Sequence, residues 1–209
     1  MDIIELHHVT KRFGDVKAID DVSLVIPSGK ITGLVGRNGS GKTVLMKIIL
    51  GLTRPDSGET IVAGKRMGVD CDLAENTGAI IETPGFLPHE SGLRNLKHLA
   101  GISGKASTDD IRKAMKLVGL DPDSRKHVGK YSLGMRQRLG LAQAIMEDPD
   151  ILILDEPMNG LDKEGVLEMR RYLLQLKSQG KTILVASHST EDIDALCDVV
   201  YEVDRGMRI

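Results

Sequence analysis

The sequence predicts an α/β protein: a mostly parallel sheet wrapped by helices, with an antiparallel β part at the N-terminus and an inserted α-helical lobe. Three observations carry this. Strand and helix patterns alternate through the last third of the chain, the order that builds a parallel sheet covered by helices. Residues 150–155 form a continuous apolar run, as a strand buried on both faces requires. From about 86 to 148 strand signals vanish and helical spacing takes over. The 209 residues suit one domain, with 1–85 and 149–209 as core and 86–148 as the lobe.

The elements follow in order. Ile4, Leu6 and His8 alternate with Glu5 and His7 as a strand does, and 22–26 is a second strand stopped by the Pro27-Ser28-Gly29 turn. Residues 30–35 form a short apolar strand running into glycines. Leu45, Ile48, Ile49 and Leu52 recur at helical spacing over 43–52, and a strand at 59–63 follows the Pro55-Asp56-Ser57-Gly58 turn. In the lobe, Ile111, Ala114, Met115 and Val118 share one helical face, with Ser107 and Asp110 as a capping box and Gly119 as the stop. A helix at 164–179 turns Val166, Met169, Leu173 and Leu176 inward. A buried strand at 181–187, a short helix at 189–197 and a strand at 199–203 complete the pattern. There is no internal repeat and no low-complexity tract.

Composition excludes several functions. Lys and Arg number 28 against 30 Asp and Glu, a net charge of −2, so there is no basic footprint for nucleic acid. Two Phe, three Tyr and no Trp argue against an aromatic platform for stacked bases. Cys71 and Cys197 are isolated, which argues against zinc and fits a reducing compartment. The first residues do not read as a signal peptide, and no stretch approaches the roughly 18–20 apolar residues that span a bilayer. The expectation is a cytoplasmic chain that does not itself enter the membrane.

Gly36-Arg37-Asn38-Gly39-Ser40-Gly41-Lys42-Thr43 matches G-x-x-x-x-G-K-[ST] at every fixed position, between a predicted strand and a predicted helix. Glycines let the backbone wrap phosphates with its N–H groups, and the helix start adds its positive end. Lys42 would bring a full charge to the β- and γ-phosphates of a nucleotide, and Thr43 a hydroxyl to Mg²⁺. The α/β core is therefore of the P-loop NTPase type. Ile151-Leu152-Ile153-Leu154-Asp155-Glu156-Pro157 ends an apolar strand in two acids, at the sheet edge where α/β proteins bind ligands. Asp155 would stand beside Mg²⁺, and Glu156 could act as general base on the attacking water. A guanine-specific Asn-Lys-x-Asp motif is absent, so a GTPase switch is not indicated.

With these motifs in order, the chain resembles the ATP-binding subunits of ABC transporters over nearly its whole length. Tyr131-Ser132-Leu133-Gly134-Met135-Arg136-Gln137-Arg138 is similar to the family's LSGGQ signature, with Leu133 and Met135 departing from its first Gly and its Gln. Ser132 and Gly134 keep the pattern and would contact phosphate; Ser132 also suits a plain N-cap. Asn159-Gly160-Leu161-Asp162 resembles the D-loop, or a turn in which Asp162 caps the next helix. His188 resembles the switch histidine that reaches the γ-phosphate. Phe13 resembles the aromatic residue that stacks on adenine, or is a core Phe. A strand expected at 77–81 leads into Glu82-Thr83-Pro84-Gly85-Phe86, where Glu82 takes the place of the Q-loop Gln near Mg²⁺. That departure, with Pro-Gly-Phe and Tyr-Ser-Leu-Gly-Met, resembles the bacitracin- and lantibiotic-type export and self-immunity ATPases.

The resemblance implies an ATPase that uses ATP and Mg²⁺ and pairs with a second cassette, as homodimer or heterodimer, each ATP lying between one phosphate loop and the other's signature. It implies integral-membrane permease subunits as partners and a peripheral position on the inner face of the cell membrane. The competing class is a non-transport ABC ATPase working on ribosomes or DNA. Such proteins usually carry two cassettes or a long coiled-coil insertion, and the sequence has neither.

Overall fold

The computed structural model describes residues 2–82 and 85–208. The chain opens with two long antiparallel strands, β1 (Asp2–Phe13) and β2 (Val16–Pro27). Strand β3 (Ile31–Val35) leads into helix α1 (Lys42–Ile49). Strands β4 (Ser57–Val62), β5 (Lys65–Arg66) and β6 (Thr77–Ile80) follow. Helices α2 (Gly92–Ser103), α3 (Thr108–Leu117) and α4 (Leu133–Ile145) come next. The chain then alternates through β7 (Ile151–Asp155), α5 (Lys163–Ser178), β8 (Thr182–Ser187), α6 (Thr190–Leu196), β9 (Val199–Asp204) and β10 (Met207–Arg208).

Two sheets result. The antiparallel one runs β2-β1-β4-β5, and the larger one β10-β9-β3-β8-β7-β6. In the larger sheet β9, β3, β8, β7 and β6 are parallel and only the short β10 turns back. Its central strands are buried along their length, so successive side chains serve two different cores. Leu152, Leu154, Ile183 and Val185 face a cluster shared with α2, α3, α4 and α5. Ile151, Ile153, Leu184 and Ala186 face the opposite cluster, filled by α1 and the N-terminal sheet. Each fully buried Ile or Leu here contributes about 1.5–3 kcal/mol relative to exposure. The sheet is thus clamped from both sides, and its strand ends are held rigidly.

Local chemistry explains the boundaries. The capping box of α3 forms as its sequence requires, with the Ser107 side chain accepting from Asp110 N and Asp110 returning the bond. The first strands run far beyond the short alternating segments of the sequence, because the alternation is broken by register shifts rather than by ends. His8 and Asp21 sit opposite such a shift with φ of 51° and 53°, and their side chains meet at 2.8 Å. His8 therefore leaves the inward pattern of Ile4 and Leu6 and is exposed. Leu52 departs from expectation too: α1 stops at Ile49, Gly51 takes a φ of 81°, and Leu52 is left exposed. The two-residue strands β5 and β10 have too little pattern to read in advance.

Candidate functional site

Strand order places the site. β3, β8 and β7 are neighbours, all parallel, so their C-terminal ends open on one edge of the sheet. The phosphate loop leaves β3, Asp155 closes β7, and His188 follows β8. Residues far apart in sequence meet there because an open parallel sheet collects its strand ends.

The loop from Gly36 to Lys42 is built tightly. A Cβ on Gly36 would lie 2.2 Å from the Val203 carbonyl oxygen, so no larger residue fits against β9. Gly41 caps α1 with a φ of 109°, a conformation open to glycine alone among ordinary residues. The turn at the end of β9 braces the loop, with Gly206 N donating to Ser40 O at 2.9 Å. Lys42 is buried, and its ammonium donates to Gly36 O at 2.6 Å and Arg37 O at 3.2 Å. An ammonium has three donors, so one remains to face a ligand. Ser40 is buried too, and its Oγ has no partner among the described residues.

The acids stand opposite. Asp155 is buried and accepts from the Thr43 hydroxyl at 2.7 Å, which joins the two strand–helix units. Glu156 has a φ of 49°, and its N–H donates to Ala186 O at 3.0 Å. His188 Nδ1 lies 2.9 Å from Glu156 Oε2, and Lys42 Nζ lies 4.0 Å from Glu156 Oε1. Eight described non-glycine residues have positive φ, and three of them, Glu82, Glu156 and Arg205, line one cleft. Left-handed backbone at a bulky residue is costly, and such outliers collect where side chains must be aimed.

That cleft has a volume of about 580 Å³, within the range of small-molecule sites. Asn38, Gly39, Ser40, Gly41, Lys42 and Thr43 form its floor, with Asp155, Glu156 and Glu82 at one side. The buried ammonium, the orphaned Ser40 hydroxyl and the open N-terminus of α1 suit a polyphosphate. Thr43 and Asp155 offer adjacent oxygens that could hold a Mg²⁺ ion, which takes few protein ligands and completes its shell with phosphate and water. Among the described residues no cluster of three or more His, Cys, Asp or Glu is arranged for a metal.

The other candidate residues lie in varied settings. Glu82 lines the cleft, but its carboxylate pairs with Lys47 on α1 at 2.7 Å and is largely exposed. Thr83 and Pro84, part of the same motif, lie outside the described residues. Phe13 is 52% exposed at the end of β1, with Lys11 Nζ 5.5 Å from its ring centre, so it is not a core residue. It does not line the cleft, although Val16, Lys17 and Ala18 across the same hairpin do. Ser132 caps α4 by accepting from Met135 N, and Asp162 caps α5 by accepting from Gly165 N. Neither they nor Gly134 line the cleft of their own chain. Eight cleft residues are not among the candidates named from the sequence: Val16, Lys17, Ala18, Val44, Gln137, Asn159, Arg205 and Gly206, although Gln137 and Asn159 fall within the signature-like and D-loop-like segments. Asp204-Arg205-Gly206 reads as a turn, but nothing in the sequence ties it to the phosphate loop.

Fold and site together define a nucleotide-binding protein of the P-loop class. The family profile described as ABC transporter matches residues 19–159. The bacitracin transport ATP-binding protein BcrA of Enterococcus faecalis is 42% identical over 206 residues, which cover 98% of this chain and 67% of that protein. The lantibiotic transport ATP-binding protein SrtF of Streptococcus pyogenes is 36% identical over 198 residues, 95% of this chain and 85% of that one. Among solved structures, the dimeric bacterial cassette MJ0796 superposes with a TM-score of 0.87 at 22% identity, covering 98% of this chain and 96% of that chain, a likeness of fold. The chain belongs to the ABC transporter family, as its ATP-binding and ATP-hydrolysing subunit.

Proposed function

We propose that this ATPase drives a separate membrane permease for export of, or self-immunity to, a peptide antibiotic. What supports this most is the identity to bacitracin and lantibiotic transport ATP-binding proteins over nearly the whole chain. Glu82 at the Q-loop position agrees with it. None of the described helices is long and apolar enough to cross a membrane. The subunit would then sit on the inner face of the cell membrane.

In this account the cleft works as follows. Lys42 and the loop N–H groups bind the β- and γ-phosphates of ATP, with Gly36, Asn38, Gly39, Ser40 and Gly41 shaping the cradle. Thr43 and Asp155 would hold Mg²⁺, with Glu82 nearby, and a bound ion would supply screening of the phosphate charge. Glu156 accepts the proton of the attacking water, and His188, paired with it at 2.9 Å, fixes its orientation and reaches toward the γ-phosphate. Phe13, exposed beside the hairpin edge of the cleft, stacks on adenine once nucleotide is bound. Ser132, Gly134 and Asp162 stand away from the cleft of their own chain and serve the ATP held by a second cassette, an arrangement supported by the dimer seen for MJ0796. Residues 86–148 act as the lobe that carries the signature, and 1–85 with 149–209 as the core that carries the phosphate loop.

Co-expression with a candidate membrane permease from the same genome tests the proposal. Co-purification of the two in detergent, and protection of cells from bacitracin or a lantibiotic only when both are present, are expected. Protection by neither pair nor single chain, together with no membrane protein bound, would contradict it.

A further inference from the structure

Helix α4 touches the catalytic turn through one face. Leu133 packs so closely on Gly160 that a Cβ there would come 2.1 Å from the Leu133 Cδ2 atom, and a Cβ on Gly134 would lie 3.3 Å from Leu161. One turn further along, Gln137 Nε2 donates to Asn159 O at 3.4 Å. Asn159 N in turn donates to Glu156 O at 3.0 Å. A continuous path therefore runs from α4 through Gln137 and Asn159 to the residue placed as the general base. Gln137, Asn159 and Glu156 all line the cleft.

Gln137 is poorly suited to a filling role. Its Oε1 is fully buried and has no hydrogen-bond donor among the described residues. An orphaned buried oxygen is unfavourable, and a Met or Leu would occupy the same space without it. The amide is worth that cost only for its other end, the Nε2 donor to the turn. Glu82, at the position where a cleft carboxamide is expected, is a carboxylate paired outward with Lys47. The carboxamide bonded to the turn that follows Glu156 is thus the one on α4.

We propose that Gln137 is a positioning residue for ATP hydrolysis: through Asn159 it sets the 156–159 turn, and with it the aim of Glu156, according to the position of α4. This rests on the assignment of Glu156 as base. A shift of α4 on pairing with a second cassette would then reach Glu156 without any contact between Gln137 and nucleotide.

The test uses Gln137→Met, which keeps the volume and removes the donor, and Gln137→Ala, which removes both. The melting temperature of the nucleotide-free protein, ADP affinity by calorimetry, and kcat and KM for ATP are measured for each. Gln137→Met is expected to melt at or above the wild-type temperature, with ADP affinity and KM within about twofold of wild type. Its kcat is expected to fall about five- to tenfold, the effect of one positioning hydrogen bond lost in the transition state. Gln137→Ala should show the same fall in kcat with a lower melting temperature. Wild-type kcat in Gln137→Met, or a fall in kcat matched by an equal loss of ADP affinity, overturns the inference. If Gln137→Met does not fold, wild-type kcat in Gln137→Ala overturns it equally. Wild-type kcat in Glu156→Gln overturns the base assignment itself, a result separable from any outcome at Gln137.

Discussion

Replacing Lys42 with Ala removes the buried positive charge of the cleft. Its side chain is only 6% exposed, so its field is weakly screened, and two of the three ammonium donors are spent on Gly36 O and Arg37 O. At an effective dielectric of ~20, unit charges about 4 Å apart attract by roughly 4 kcal/mol. Desolvation removes part of that, and a hydrogen bond to a charged group is worth about 1.5–3 kcal/mol net. Affinity for ADP should therefore fall by roughly ten- to 150-fold. The fold should persist, because the hydrophobic clusters on both sheet faces do not include this side chain. Titration calorimetry with ADP, beside a melting curve, measures both effects. An affinity within about threefold of wild type in a folded variant would refute the reasoning, since a buried ammonium facing phosphate cannot be worth so little.

Other expected outcomes follow from separate parts of the structure. Glu82→Gln removes an exposed pairing with Lys47, so basal ATPase should change by less than about threefold, as surface ion pairs are worth little. Its effect should instead appear as lost protection in cells carrying the full transporter, and near-total loss of basal ATPase would place Glu82 in the chemistry. Gly36→Ala should abolish nucleotide binding and lower the melting temperature, because its Cβ would press on the Val203 carbonyl; normal ADP binding would show that the loop has room. Burial pushes the Cys197 thiol up to about 11, so in a Cys71→Ser background it should react slowly with a thiol reagent at pH 8 until the protein is unfolded. Equal rates in folded and unfolded protein would contradict that burial. Asp198 is pulled upward by burial, but Lys177 and the Ile31 N–H outweigh this and hold its carboxyl below the usual range. Its stabilising contribution is then present above about pH 4 and is lost as pH falls through the folded value. The melting-temperature gap between wild type and Asp198→Asn should close over that acid range, and a gap that stays constant would count against it.

Much of this architecture is legible in the sequence because it rests on local patterns. The two-sided burial of β7 is written in Ile151 to Leu154, and the phosphate loop in the spacing of Gly36, Gly41 and Lys42. Long-range packing is not written that way. The bulge at His8 and Asp21 depends on which strand pairs with which, and alternation alone cannot give it. The approach of the 204–206 turn to Ser40 depends on β9 lying beside β3, a fact of sheet order. Gln137 reads as one polar residue among several on α4, and only the turn beside it reveals its bond to Asn159. Glu82 shows the reverse case. Its identity is plain in the sequence, while its pairing with Lys47, 35 residues away, is a matter of tertiary packing.

Glu156 is the proposed base in a cleft that should bind ATP without its help. Its carboxylate meets His188 on one oxygen, while the other lies 4.0 Å from Lys42 with no hydrogen-bond partner among the described residues. The direct test is the steady-state ATPase rate of Glu156→Gln with Mg²⁺, measured beside ATP binding by the same protein. A loss of about 100-fold or more in kcat, with ATP still bound, is the expected result, in line with removal of a general base. Hydrolysis at the wild-type rate would contradict the account.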